Sequence, residues 1–294
     1  MKTIKYVAGM LTSVIVAVAA TATDAANEPL RVLSVGNSFS ANAHKFIPKI
    51  VESMGRKIII HNADISAGSM TSHVQNYEAY EKSDKSADSK VGRPYGYNGN
   101  RASLSEILCD QKWDVVTIQQ FSGISKDPES YEPAGTQLIE YIKSNAPSSK
   151  IVVYETWAYR ADESRIVKWE ITTDEMYASV TNAYRMFAAS HGLEIIPAGE
   201  AFQLARKTPE WGDYTLADKE AGTDASGKTL HASDGCHAGV AGEYLLGCVW
   251  YEFLFEDDVR KCSFLPEGLD SDDGAILREI AHKTMTGQRD SKKP

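Results

Sequence analysis

Five short runs rich in valine and isoleucine punctuate the chain: Leu30 to Val35, Lys57 to Asn62, Asp114 to Gln119, Lys150 to Thr156 and Leu193 to Pro197. Continuous apolar runs of this length, closed by polar or glycine residues, predict strands buried on both faces. The stretches between them repeat every three or four residues instead. Ala43 to Met54 places Phe46, Ile47, Ile50, Val51 and Met54 on one side. Thr173 to Ser190 does the same with Met176, Val180, Ala183, Tyr184 and Phe187, and Pro133 to Ser144 is a third helix of this kind. Strand and helix in alternation require crossover connections, which align the strands in one direction and put helices on both faces. The expected fold is a three-layer α/β/α sandwich around a mostly parallel five-stranded sheet, flavodoxin-like in outline. Past the fifth strand the pattern predicts a short helix from Gly199, a polar loop from Pro209 to Ser233, an apolar helix from Val240 to Phe255 and a last helix from Asp273 to Thr286. There is no internal repeat. Residues 27–294 read as one domain with exposed insertions near 81–100 and 209–233, and loops of that length favour binding roles.

The start of the chain departs from this pattern. Lys2 and Lys5 precede an apolar run from Val7 to Ala20, then small residues Ala20-Thr21-Ala22 and a polar stretch, the layout of a secretory signal peptide. The run is shorter than the roughly 20 apolar residues that a bilayer core demands. Removal of residues 1–22, or as far as Ala26, and a periplasmic or secreted product are the expectation. Against 31 Lys plus Arg stand 40 Asp plus Glu, a net charge of -9, so no positive field exists to draw in a phosphate backbone. Nucleic acid is not an expected partner. Cys109, Cys236, Cys248 and Cys262 all follow the signal, where an oxidising compartment permits disulfides and three full pairings stay open. No C-x-x-C and no histidine pair at ligand spacing is present, so no metal or cofactor is expected.

Open parallel sheets carry their reactive groups beyond the carboxyl ends of the strands. The first strand exits into Gly36-Asn37-Ser38-Phe39-Ser40, where a sharp turn would bring a hydroxyl to a helix N-terminus. Ser38 or Ser40 would serve equally as a helix cap. The segment Ser233-Asp234-Gly235-Cys236-His237-Ala238-Gly239 precedes the apolar helix and sets a carboxylate three residues before an imidazole. Such a carboxylate can hold one ring nitrogen and leave the other to take a proton from a hydroxyl, although Asp-Gly is also an ordinary turn.

Taken together these blocks resemble the SGNH (GDSL-type) hydrolases, and more closely the bacterial branch that opens with G-N-S-F and closes with D-G-x-H. Gly36-Asn37-Ser38-Phe39 resembles the nucleophile block, Ala67-Gly68-Ser69 the glycine block, and Asp234 with His237 the acid and base block. The resemblance implies an SGNH-like sheet, Ser38 as nucleophile, His237 as base and then acid, and Asp234 as the group that orients it. It implies oxyanion donors in the N–H groups of Ser38 and Gly68. The family commonly adds the Asn of a G-x-N-D block, but the middle strand here exits through Gln119-Gln120-Phe121-Ser122-Gly123. A glutamine amide has the same donor chemistry on a longer arm, so Gln120, with Gln119 next, is the expected third donor.

The implied function is an exported serine esterase removing small groups, acetyl foremost, from a glycan or oligosaccharide. A methyl esterase of acidic polysaccharide, a lipid esterase and a non-catalytic glycan-binding protein are the alternatives. Tyr95, Tyr97, Trp157, Tyr159, Trp211 and Tyr214 would suit stacking on sugar faces or ordinary packing. Two motifs mislead. Gly222 to Thr229 spells the phosphate-loop pattern G-x-x-x-x-G-K-T, but it lies between polar segments rather than between a strand and a helix. Asp270 to Gly274 looks like a calcium loop, yet lacks the closing Glu and fits better as the acidic start of the last helix. Among the remaining histidines, His231 is close enough to Asp234 to line the same pocket, and His61 with Asp64 is the other pair worth testing as ligands.

Overall fold

The computed structural model describes residues 28–86, 90–212 and 228–291. The expected leader, most of the 209–233 loop and Tyr214 lie outside the described residues. In chain order the elements are β1 (Leu30–Gly36), α1 (Ser38–His44), α2 (Ile47–Ser53), β2 (Ile58–Asp64), α3 (Met70–Lys82), β3 (Tyr95–Tyr97), β4 (Asn100–Ala102), α4 (Leu104–Asp110) and β5 (Val115–Ile118). There follow α5 (Ala134–Asn145), β6 (Lys150–Glu155), α6 (Ser164–Trp169), α7 (Thr173–His191), β7 (Glu194–Pro197), α8 (Ala198–Arg206), α9 (Val240–Phe255) and α10 (Ser271–Ser291).

The five predicted strands form one sheet in the order β2-β1-β5-β6-β7, every neighbouring pair parallel. Its inner strands are buried along their length, as in Val115–Ile118, apolar except for Thr117, and Ile151–Val153, as strands covered on both faces must be. The helices sort into two packed groups. One joins α1, α2, α8 and α10 around α9, with α7 packed on α8, and the other joins α3, α4 and α5. Helix α9 is apolar on all sides and buried along most of its length, the mark of a helix sunk into the core.

The order β2-β1-β5 has a consequence for chemistry. The chain leaves β1 for β2 on one side and later enters β5 on the other, so the crevice between the ends of β1 and β5 is the topological switch point, where α/β sheets bind ligands.

The stretch predicted as one helix from Ala43 to Met54 is broken. Asn37 caps a helix that starts earlier, its side chain accepting from the Phe39 N–H at 3.0 Å. Pro48, in the first turn of α2, would set its ring against the carbonyl of His44 were the helix continuous. The insertion near 81–100 is only partly an exposed loop: α3 runs into it and β3–β4 form a two-stranded hairpin within it, with Tyr95 wholly buried. Trp157, Tyr159 and Trp211 are buried as well. These aromatics are core, not a platform for sugars, because each finds apolar neighbours in the layers beneath the site. Among the described residues no helix is long and apolar enough to cross a membrane.

Candidate active site

Ser38 is the first residue of α1, directly past the end of β1. Its Oγ lies 2.7 Å from His237 Nε2, across 199 positions of sequence. His237 Nδ1 lies 2.6 Å from Asp234 Oδ2. With the Nδ1 hydrogen donated to the carboxylate, Nε2 is left as an acceptor for the Ser38 hydroxyl. The second oxygen of Asp234 accepts the backbone N–H groups of Cys236 and His237, both at 3.0 Å. Partial burial opposes ionisation of Asp234, but the hydrogen bonds from the His237 ring and these two N–H groups outweigh it and hold the carboxyl at about 2. His237 is displaced the other way, to about 9. The Cys236 sulfur, 3.4 Å from Nδ1, and then the Asp234 carboxylate favour the charged ring against the cost of its desolvation.

The turn carrying Asp234 and His237 is fixed from several sides. Gly235 takes a φ of +75°, a left-handed conformation in which a side chain would be strained. Its carbonyl accepts the Arg160 N–H at 2.8 Å, while the buried Arg160 guanidinium donates to the Ala232 and Ser233 carbonyls at 3.1 and 3.3 Å. Trp157 Nε1 donates to the Cys236 carbonyl at 2.9 Å. The Trp157 ring stacks between Phe39 and Phe202, with centroids 4.4 and 4.8 Å away. His231 belongs to this scaffold and not to the cleft: it is buried, and its Nε2 meets the Ala158 carbonyl at 3.0 Å.

A cleft of about 200 Å³ opens over the pair, lined among others by Ser66, Ala67, Phe121, Ser122 and Arg165. Ser66, Ala67, Phe121 and Ser122 lie just past the carboxyl ends of β2 and β5, and Arg165 is in the first turn of α6. Two expected oxyanion donors are not available there. The Gly68 N–H donates to the Ile65 carbonyl at 2.7 Å, closing a tight turn with Ala67 at φ +52°. Gln120 is wholly buried; its amide donates to the Ser130 carbonyl at 2.7 Å and its oxygen accepts the N–H groups of Met70 and Phe121 at 3.1 and 2.9 Å. The long arm that would have let Gln120 reach the site carries it to the far side of the β5 exit. Gln119 is committed too, donating to Asn37 Oδ1 at 2.8 Å and accepting from the Ser40 hydroxyl.

Asn37 is the hub that sequence reasoning passed over. Its amide nitrogen donates to the Gly68 carbonyl at 2.9 Å, and its oxygen serves Phe39 and Gln119, so one side chain ties the nucleophile turn to the exits of β2 and β5. Its position beside Ser38, before an N-terminal helix turn, was the available signal. Ser122 was also passed over. It lines the cleft, and its Oγ accepts the Tyr159 hydroxyl at 2.8 Å, which leaves its own hydrogen to donate. The N–H groups of Ser38 and Ala67 make no hydrogen bond among the described residues.

Elsewhere, His44 is half-buried and His73 wholly buried, and desolvation holds both neutral, at about 3 and about 4. Among the described residues, the groups with metal-ligand proximity are Asp234–Cys236–His237, the site itself, and Glu252–Asp258–His282; His61 and Asp64 form no such group. Lys228, from the phosphate-loop lookalike, is paired with Asp273, and most of that segment lies outside the described residues.

A protein of the DUF4886 family from Bacteroides uniformis has the same fold at a TM-score of 0.74 and 26% identity, over 88% of this chain and 95% of its own. A candidate SGNH hydrolase from Slackia heliotrinireducens matches at 0.50 and 22%, over 77% and 100%. An acetyl xylan esterase matches at 0.49 and 13%, over 76% and 100%. At 22% identity the likeness to the Slackia protein is one of fold. No curated protein matches the sequence. Residues 31–284 match the model of DUF4886, a domain of unknown function, and the chain belongs to the DUF4886 family.

Proposed function

We propose that this chain is a serine ester hydrolase that removes small acyl groups, acetyl foremost, from carbohydrates. The observation that carries the reading is the continuous relay from Ser38 through His237 to Asp234, at 2.7 and 2.6 Å. In the proposed reaction Ser38 Oγ attacks the ester carbonyl as its proton passes to His237 Nε2. The tetrahedral oxyanion collapses to an acyl-serine, and His237 returns the proton to the leaving alcohol. Water then gives a proton to Nε2 as it attacks the acyl-serine, and the second tetrahedral oxyanion collapses to release the acid while Nε2 returns that proton to Ser38 Oγ.

The charge that develops on the carbonyl oxygen needs donors already in place, each worth about 10² to 10³ in rate. The N–H groups of Ser38 and Ala67 and the hydroxyl of Ser122 are assigned this role, in place of Gly68 and Gln120. The cleft of about 200 Å³ is smaller than the roughly 300–1,000 Å³ of pockets that enclose drug-sized ligands. That size supports a short acyl group over a lipid chain. No step calls on a metal or cofactor.

Purified protein should hydrolyse p-nitrophenyl acetate, and Ser38→Ala should lower the rate on the order of 10⁴-fold with an unchanged circular dichroism spectrum. Release of acetate against methanol from a panel of esterified polysaccharides then separates acetyl from methyl esters. Wild-type protein inert on all of them would leave a glycan-binding role and sink the hydrolase.

A further inference from the structure

Among the described residues that line the cleft, Arg165 is the one with a permanent charge and none is a carboxylate. The side chain is fixed from two directions. Its guanidinium carbon sits 4.2 Å from the centroid of the Tyr159 ring, and Nε donates to Glu163 Oε1 at 2.9 Å. The other oxygen of Glu163 accepts the Arg165 backbone N–H at 2.7 Å, and Oε1 also accepts the Ser164 hydroxyl at 3.4 Å, so both oxygens of this carboxylate are engaged within the turn that holds the arginine. Among the described residues the two terminal nitrogens of Arg165 make no hydrogen bond, and the side chain is 31% exposed.

A guanidinium anchored through Nε on an aromatic face keeps its outer edge as a pair of parallel donors. That edge matches the two oxygens of a carboxylate, and the rotamer entropy of presenting it is already lost. The net charge of -9 gives no long-range attraction for anions, so recognition of one has to be local. Glu163 lowers the net charge of the pair but occupies the Nε side only.

We infer that Arg165 is a specificity-determining residue that binds a carboxylate of the substrate close to the scissile ester, so that the preferred substrates are acylated acidic glycans or acyl groups that themselves end in a carboxylate. The inference rests on the ester hydrolysis proposed above. The shared chemistry is the carboxylate, and it can lie on the alcohol side, as in an acetylated uronic-acid oligosaccharide, or on the acyl side, as in a hemisuccinate.

The test compares kcat/KM on four substrates: an acetylated uronic-acid oligosaccharide, an acetylated neutral xylo-oligosaccharide, p-nitrophenyl hemisuccinate and p-nitrophenyl acetate. In wild type one acidic substrate should exceed its neutral counterpart, and which one does so tells alcohol side from acyl side. In Arg165→Gln the ratio of acidic to neutral kcat/KM should fall about 10- to 100-fold, chiefly through KM, as expected for loss of a charge-assisted bidentate pair. Arg165→Lys should recover part of it. The ratio is internal to each variant, so a misfolded fraction cancels. A ratio unchanged by Arg165→Gln, or no acidic preference in wild type, overturns the assignment.

Should wild type hydrolyse none of the four, calorimetric titration of the uronic-acid oligosaccharide into Ser38→Ala and into Ser38→Ala/Arg165→Gln decides the matter without turnover. Binding to the first and at least tenfold weaker binding to the second supports the carboxylate site while the hydrolase reading fails. Equal binding, or none to either, removes it.

Discussion

His237 has two electronegative neighbours on the same ring nitrogen, Cys236 Sγ at 3.4 Å and Asp234 Oδ2 at 2.6 Å, and together they lift it to about 9. A base must be neutral to take the Ser38 proton, so the sign is plain: activity is low where the ring is charged and rises as it deprotonates. At pH 7 only about 1% of the ring is neutral for such a pKa. Hydrolysis of p-nitrophenyl acetate should therefore climb roughly tenfold per pH unit and level off near pH 9. Cys236→Ala removes the largest cause of the shift and should slide this limb toward the ordinary histidine range, raising the rate at pH 7 while leaving the alkaline plateau in place. A wild-type limb near 6.5, or one that Cys236→Ala does not move, would show that the sulfur has no part in setting the base.

Between elements, what was legible in the sequence divides by the range of the forces involved. The five strands and the helices Thr173–His191 and Val240–Phe255 were readable because burial of a strand or a helix face leaves a local periodic signature. The pairing of Ser38 with Asp234 and His237 was readable from block order and family resemblance. Arg165, Asn37 and Ser122 were not, since their roles depend on where five strand exits converge, and no window of sequence contains that. Gln120 misled for a related reason. Its chemistry was right for an oxyanion donor, but its direction was set by the backbone N–H of Met70 and the carbonyl of Ser130. Helix α3 and the β3–β4 hairpin were missed because α3 is weakly amphipathic and the hairpin strands are three residues each. They matter to the site through His73. Tyr95 in the hairpin donates to His73 Nδ1 at 2.8 Å, and His73 Nε2 donates to the carbonyl of Gly36 at 3.1 Å, at the nucleophile turn. Tyr95→Phe keeps the ring and strips the donor, leaving a buried nitrogen acceptor unmet. The expected result is a loss of about 1–3 kcal/mol in urea unfolding, with p-nitrophenyl acetate hydrolysis within about twofold, because the bond to Gly36 survives. An unchanged midpoint would mean that water or a neighbour replaces the phenol and that the hairpin does not brace the turn.

Across the whole molecule, stability rests on the two helix groups closing over the sheet and not on covalent staples. All four cysteines are free thiols, Cys109 exposed and Cys236, Cys248 and Cys262 buried. Their places explain why. Cys236 lies in the cleft beside His237, Cys248 is in the middle of the core helix α9, and Cys262 meets the Ser53 hydroxyl at 3.2 Å. Burial pushes the Cys248 thiol well above its ordinary range, so it resists forming the thiolate that oxidation requires. A disulfide would stabilise mainly by restricting the unfolded chain, by about 2–4 kcal/mol, and losing one would be visible as a fall in Tm on reduction. None is expected here. Native protein treated with an aromatic disulfide reagent should lose one thiol quickly, Cys109, and Cys236 more slowly through the cleft, with any p-nitrophenyl acetate hydrolysis falling with the second event alone. The remaining two should react only in denaturant. Excess reductant should leave Tm where it was, and electrophoretic mobility should be the same with and without it. A reductant-dependent Tm or mobility would reveal a covalent link, and Cys248 with Cys262, near enough that the charge of Cys262 opposes ionisation of Cys248, is the pair whose replacement by alanine would then abolish the dependence.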